Sequence, residues 1–159
     1  MKAGCQPDNF VSLITIKQII MTTKISYAIA FLLGLGMIFL GVRFFISPEV
    51  ATAGYGIHFN AQGDYSFHFI KGIRDIFSGL IICILVLIKE RRALGITLLA
   101  GTMIPLADMF IVLSKSYNSM PQAIPHIIAI LICVVFGMSL LINKPELTNR
   151  STSLKLESA

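Results

Sequence analysis

The sequence predicts an all-α integral membrane protein, a four-helix transmembrane bundle of antiparallel up-down topology with both termini in the cytoplasm. Of its 159 residues, 55% are hydrophobic and 13% are charged, and the mean hydropathy is +0.82. Four apolar runs stand out, each about 20 residues long, which is the length that crosses a hydrocarbon core of roughly 30 Å. A water-soluble domain does not have this composition, so we expect a multi-pass protein of the cell membrane.

The predicted elements follow one another in a simple order. Residues 1–24 form a moderately apolar N-terminal extension, which is either an interfacial helix or an addition upstream of a start at Met21. The four spans of the membrane domain 25–142 are residues 25–46, 67–88, 94–113 and 124–142. They are apolar nearly all round, as spanning helices are. Residues 143–159 are polar and rich in Ser and Thr, which predicts a disordered cytoplasmic tail.

The connections indicate packing and orientation. The charged turn Lys89–Ala93 is short, so the second and third spans are antiparallel neighbours. The link 47–66 is the longest and has room for a short re-entrant or capping segment. Three basic residues lie in each of the N-terminal stretch, this turn and the tail, which together hold nine of the 13 in the chain. The link 47–66 holds none, so the positive-inside rule places both termini and the turn in the cytoplasm.

Several classes of function are disfavoured by the composition. The net charge of +5 does not form a basic face, so no nucleic acid partner is expected. The three cysteines are Cys5, Cys83 and Cys133. They form no C-x-x-C pair, and His58, His68 and His126 lack the spacing of metal ligands. We therefore predict no disulfide framework, no metal and no cofactor, and the lipid bilayer is the expected partner.

Six ionisable groups lie inside the predicted spans, where a charge near the centre costs about 2.5 to 3.5 kcal/mol. They are Arg43, Lys71, Arg74, Asp75, Asp108 and His126. In the predicted topology all six fall in the outer half of the membrane. Helical spacing gives each helix one polar stripe accompanied by a small residue, which predicts close packing around a shared polar centre.

Three interpretations of this polar cluster stay open. The first is a structural network in which the two arginines neutralise the two aspartates. The second is a pocket for a lipid, a quinone or an anionic amphiphile. The cluster has three cations and two aspartates, which leaves one surplus positive charge. This charge either binds the anionic head of a ligand or pairs with Glu49. The apolar tail would then lie between helices lined by Gly36, Gly79, Gly101 and Gly137. The third is proton-coupled transport or catalysis.

An ordered set of short motifs resembles a known family. The motifs are Gly41-Val42-Arg43-Phe44, Gly54-Tyr55-Gly56-Ile57, Lys71-Gly72-Ile73-Arg74-Asp75, Ala100-Gly101 with Ile104-Pro105 and Asp108, and His126. Together they resemble the small bacterial and fungal membrane family called domain of unknown function 4267, over about Ile25 to Ile142. The resemblance implies a four-helix membrane domain of uncharacterised activity. The layout is also remotely similar to the DoxX-like proteins, some of which are associated with quinone-linked redox enzymes, and this analogy concerns the fold alone.

Three classes of function follow. The lack of any catalytic motif favours a non-enzymatic protein that binds a lipid or amphiphile, or that serves as an accessory subunit of a homo-oligomer or a membrane partner. A DoxX-like redox component would need an electron carrier or partner that this chain does not provide. A proton-coupled carrier would need acidic steps in the inner halves of the spans, where no carboxylate lies.

Overall fold

All regular structure in the described part of the chain is helical. The computed structural model describes residues 7–57 and 64–142, and within these ranges it contains no strand. Its six helices there are α1 (Pro7–Ile46), α2 (Pro48–Tyr55), α3 (Ser66–Leu87), α4 (Arg91–Gly101), α5 (Met103–Leu113) and α6 (Met120–Ile142). The predicted all-α class is confirmed. The predicted disordered tail at 143–159 lies outside the described residues.

Helix α1 begins earlier than the first predicted span. It runs for 40 residues without interruption, so residues 7–24 continue the helix of the span. The physical reason is that no proline or glycine occurs between Asp8 and Leu33, and proline at position 7 suits the first turn of a helix.

Within the described residues, three segments are long and apolar enough to cross a membrane, namely Met21–Ile46, Arg91–Leu113 and Met120–Ile142. The second of these joins α4 to α5 through Thr102, whose backbone stays helical at φ −58° and ψ −25°. The series of backbone hydrogen bonds is interrupted there, because Pro105 has no N–H to donate to the carbonyl of Gly101. Large apolar side chains such as Ile46 and Phe67 are more than 70% exposed, at 75% and 73%, as on a lipid-facing surface.

The helices associate as two antiparallel pairs, α1 with α3 and α4–α5 with α6. Glycines bring the backbones together in both pairs. A Cβ placed on Gly41 would lie 2.6 Å from the carbonyl oxygen of Gly72, and one on Gly95 would lie 3.1 Å from that of Gly137. Such contacts between small residues allow helices to pack closely where no water drives them together.

The two pairs meet at the end of the molecule that carries the α3–α4 connection, which we call the turn end. There Ser26 Oγ lies 3.3 Å from Ser139 Oγ, and the Tyr27 hydroxyl donates to the Lys89 carbonyl at 3.0 Å. Lys89 adopts a left-handed conformation with φ 58°, which ends α3 in a tight turn. The buried apolar core of this end consists of Ala30, Ile82, Leu94, Leu98, Cys133 and Leu140.

Helix α2 lies at the opposite end, which we call the α2 end. It provides the short capping segment for which the link 47–66 has room. It ends at Gly56, whose φ of 88° favours glycine. The side-chain amide of Asn118 donates to the Gly56 carbonyl at 2.6 Å and to the Val112 carbonyl at 2.8 Å. These bonds attach α2 to the connection between α5 and α6.

Candidate functional site

A cavity of about 580 Å³ separates the two helix pairs. We call it the interhelical cavity. At one end the cavity borders the buried core, because Ile82, Leu98 and Cys133 belong to the core and also line the cavity. At its opposite end the cavity reaches α2. On α1 its wall runs from Leu33 to Arg43, a rise of about 15 Å at 1.5 Å per residue. Most of the wall is apolar, which makes it a suitable environment for a hydrocarbon chain.

The polar side chains of the cavity are gathered at its α2 end. Five of the six ionisable residues predicted from the sequence line it, namely Arg43, Lys71, Asp75, Asp108 and His126. They come from α1, α3, α5 and α6, so all four long helical segments contribute. The sixth, Arg74, has a side chain that is 47% exposed and stands outside the lining. We call these six residues the polar cluster.

Ion pairs connect four members of the polar cluster. Lys71 Nζ lies 2.8 Å from Asp75 Oδ2, and the carboxylate of Asp75 is almost completely buried. Arg74 Nε lies 3.6 Å from Asp75 Oδ1. Arg74 Nη2 lies 4.0 Å from Asp108 Oδ1, and this pair crosses from α3 to α5. The two cations and two carboxylates therefore neutralise one another within the protein.

Arg43 is different from the other cations. It lines the cavity in the last turn of α1 and makes no ion pair with any residue that the structure describes. Glu49 is the acidic residue that the sequence offers at the rim, but it is exposed and accepts a hydrogen bond from the Tyr65 hydroxyl at 2.5 Å. The charge of Arg43 is thus directed towards the cavity.

Aromatic side chains complete the α2 end of the cavity. The Tyr55 hydroxyl donates to the carboxylate of Asp108, and the Tyr55 ring meets the His126 ring edge to face at 4.9 Å between centroids and 82°. Lys71 Nζ lies 4.4 Å from the Tyr55 ring centroid and 5.2 Å from that of Phe44. Burial raises the pKa of Tyr55, and the hydrogen bond to Asp108 raises it further, so the phenol remains a hydrogen-bond donor.

Tyr55 was not among the site residues predicted from the sequence. The signal that marks Tyr55 is its position between two glycines, at the end of a segment with room to cap the helices. Phe44 is 5% exposed, and the centroid of its ring lies 6.4 Å from that of Tyr55. The Tyr55 ring at the end of α2 therefore packs against the Phe44 ring of α1.

Only one of the four glycines expected along the ligand tail lines the cavity. Gly101 does so, and a Cβ there would have no neighbouring atom within 4 Å. Gly79 and Gly137 are used in contacts between paired helices, against Gly34 and Leu99 respectively. Gly36 is exposed on the outer surface of α1. That expectation was therefore wrong for three of the four positions.

No group of three metal-ligating side chains occurs in the ranges 7–57 and 64–142. His126 lines the cavity and His68 is buried at 4% exposure, with its ring 5.5 Å from that of Tyr65. The third histidine, His58, lies outside the described ranges.

The family model described as domain of unknown function 4267 matches residues 34–140. The chain belongs to this family. The DUF4267 match begins within α1 and ends within α6, and it includes every residue that lines the cavity except Leu33. The resemblance inferred from the short motifs is thereby confirmed. The comparison with curated proteins and the comparison with solved structures returned no match, and nothing found extends the likeness to the DoxX-like proteins.

Proposed function

We propose that this DUF4267 protein is a four-span membrane protein that binds an amphiphilic molecule of the bilayer in the interhelical cavity. The tail of the ligand lies between the two helix pairs, and its head lies at the α2 end against the polar cluster. The observation that carries the proposal is the cavity itself, which joins an apolar wall about 15 Å long to a charged end. No part of the proposal requires a catalytic step.

The proposed fourth span is α3. It has 22 residues, and three of them are charged, namely Lys71, Arg74 and Asp75. Two of these face the cavity and the third pairs with carboxylates, which is how charges are accommodated in spanning helices. The positive-inside rule then puts the turn end, with its Lys89, Arg91 and Arg92, in the cytoplasm. The α2 end faces the outer side.

The size of the cavity supports an occupant from the membrane. About 580 Å³ lies within the range of roughly 300 to 1,000 Å³ typical of small-molecule pockets. Its wall is mostly apolar, so a hydrocarbon chain of the bilayer would fill it without leaving polar groups unsatisfied. Its depth of about 15 Å is half of the hydrocarbon core, so the ligand comes from one leaflet.

A purely structural role for the polar cluster is the main rival. Ion pairs that only fix the register of the helices account for the contacts of Lys71 and Arg74. They do not account for a cavity beside them, because a structural network gains nothing from leaving space between the helices. The proposal and its rival differ in one measurable respect, which is whether a molecule occupies the cavity.

The glycines offer a matched pair of variants for this test. Gly101 and Gly36 both lie in helices, and at neither would a Cβ meet another atom within 4 Å. Leucine at Gly101 projects into the cavity, whereas leucine at Gly36 projects from the exposed surface of α1. Both changes remove a helix glycine, so their intrinsic effects on helix stability are alike.

Native mass spectrometry of protein released from gentle detergent measures the occupancy. We expect one lipid-sized molecule per chain on the wild type and on Gly36→Leu, and a loss of that molecule on Gly101→Leu. Thermal unfolding in detergent confirms that both variants are folded. A wild type that carries no molecule and takes up none from added membrane lipids or quinones would overturn the proposal, as would equal occupancy of both variants.

A further inference from the structure

The charges of the polar cluster do not balance. Lys71 and Arg74 face Asp75 and Asp108 across distances of 2.8, 3.6 and 4.0 Å, so these four groups form a neutral set. Tyr55 adds a hydrogen bond to Asp108, which further satisfies that carboxylate. The remaining charge is the guanidinium of Arg43. The α2 end of the cavity therefore carries one surplus positive charge.

Arg43 is placed where a surplus charge needs a partner. Its neighbours on α1 that also line the cavity are Leu40 and Phe44, which are apolar. A cation in apolar surroundings is unfavourable unless an anion or several acceptors satisfy it. Within the described residues no carboxylate pairs with Arg43, and Glu49 is engaged outside the cavity with Tyr65. An anionic ligand in the cavity would supply this partner.

We infer that the ligand is a single-chain amphiphile whose head is a carboxylate, and that Arg43 binds this head. The inference rests on the proposed function and specifies its ligand class. One negative charge matches one surplus positive charge. A carboxylate is planar and accepts two parallel hydrogen bonds from a guanidinium. The volume of about 580 Å³ is that of a site for one drug-sized molecule, which suits one chain with a small head.

Other heads fit the charge balance less well. A phosphate monoester carries about −1.5 to −2 at neutral pH, which exceeds the surplus and places extra negative charge beside Asp75 and Asp108. A hydroxyl head leaves Arg43 without an anion, and an ammonium head repels it. A series of amphiphiles with one chain and different heads therefore tests the assignment without any change to the protein.

The experiment uses the full chain in nanodiscs of uncharged lipid at mildly alkaline pH. Bound radiolabelled hexadecanoate is displaced by hexadecanoate, hexadecanol, hexadecylamine or hexadecyl phosphate. We expect hexadecanoate to compete at least tenfold better than each of the others. Equal competition by hexadecanol, or stronger competition by hexadecyl phosphate, would overturn the carboxylate assignment.

Variants locate the head in the site. Arg43→Gln should weaken hexadecanoate binding about 10- to 100-fold, the loss expected for a hydrogen-bonded charge, and should leave hexadecanol binding unchanged. Arg43→Lys keeps the charge but loses the planar fork, so an intermediate loss is expected. Arg92→Gln removes the same charge from an exposed position on α4 and should have no effect. A loss of equal size in Arg92→Gln would overturn the role of Arg43.

The possible failures are distinguishable. If hexadecanoate and hexadecanol bind equally and Gly101→Leu blocks both, the cavity binds amphiphiles but the inference about the head is wrong. If none of the four amphiphiles binds, the inference fails, and the occupancy measured by native mass spectrometry decides the proposed function separately. If Arg43→Gln does not fold, the series of heads on the wild type still decides the assignment.

Discussion

Replacement of Gly79 by alanine tests the contact between α1 and α3 that forms one wall of the cavity. A Cβ at Gly79 would overlap the carbonyl oxygen of Gly34, and it would lie 2.8 Å from Ile38 Cγ1 and 3.0 Å from Ile38 N. Ordinary contact begins near 3.4 Å. Two of these three atoms belong to the backbone of α1, so no side-chain rotation relieves the overlap, and α1 must move away by roughly 1 Å.

The size of the effect follows from two opposing contributions. Overpacking costs about 1 to 3 kcal/mol, while alanine in a helix gains about 0.5 to 1 kcal/mol over glycine. We therefore expect Gly79→Ala to lower the free energy of unfolding by about 1 to 2 kcal/mol. Gly36→Ala has no atom within 4 Å to overlap, so only the gain remains. The two variants should differ by about 2 kcal/mol, or roughly 30-fold in the unfolding equilibrium.

Titration of both variants from a mild detergent into SDS, followed by circular dichroism, measures this difference. The midpoint of Gly79→Ala should fall below that of the wild type, and the midpoint of Gly36→Ala should equal or exceed it. Coincident midpoints for the two variants would refute the close α1–α3 contact. The position of α1 in the cavity wall, on which the proposed function depends, would then be wrong.

Three further predictions concern the charges, the position of α2 and the topology. Asp75→Asn removes the buried carboxylate that pairs with Lys71 and should cost about 3 kcal/mol in detergent unfolding, whereas Glu90→Gln, at an exposed position, should be nearly neutral. Asn118→Ala removes the amide that joins the Gly56 carbonyl, at the end of α2, to the Val112 carbonyl of α5, so hydrogen exchange in α2 should become faster while α3 stays unchanged. In a background without native cysteines, an impermeant maleimide added from outside should modify Ser116→Cys but not Arg92→Cys; the opposite pattern would contradict the proposed orientation.

The sequence contains clear signals for where most helices end. Helix α1 ends at Ile46, two residues before Pro48, because the residue preceding a proline is disfavoured in a helix. The start of the first span has no such signal, because no proline or glycine separates its apolar run from the helix-compatible stretch that begins at Pro7. Pro105 predicts that the helix is interrupted near Thr102. The sequence does not predict how small the interruption is, because that depends on packing against neighbouring helices, and Thr102 keeps helical dihedral angles.

The composition of the site could be predicted better than its geometry. Helical spacing puts Lys71 and Asp75 on one face of α3, and the structure places both in the cavity. Spacing cannot tell which neighbour a face meets, so Gly36 was assigned to the cavity while Gly41, five positions later, makes the close contact with α3. Tyr55 reaches the site through a connection between helices, where periodicity carries no information.

The helix pairs are packed closely at the turn end and are separated by the cavity at the α2 end, where the charges lie. At the turn end Leu94, Leu98 and Leu140 are at most 1% exposed and fill the space between the helix pairs. At the α2 end the space stays open, and Arg74 approaches Asp108 only to 4.0 Å. Charges that served structure alone would gain from closing this space, because an ion pair offsets its desolvation only when its geometry is tight. A ligand with an anionic head and an apolar tail satisfies the surplus charge and fills the space together, so changes to either part should weaken binding more than they weaken the fold.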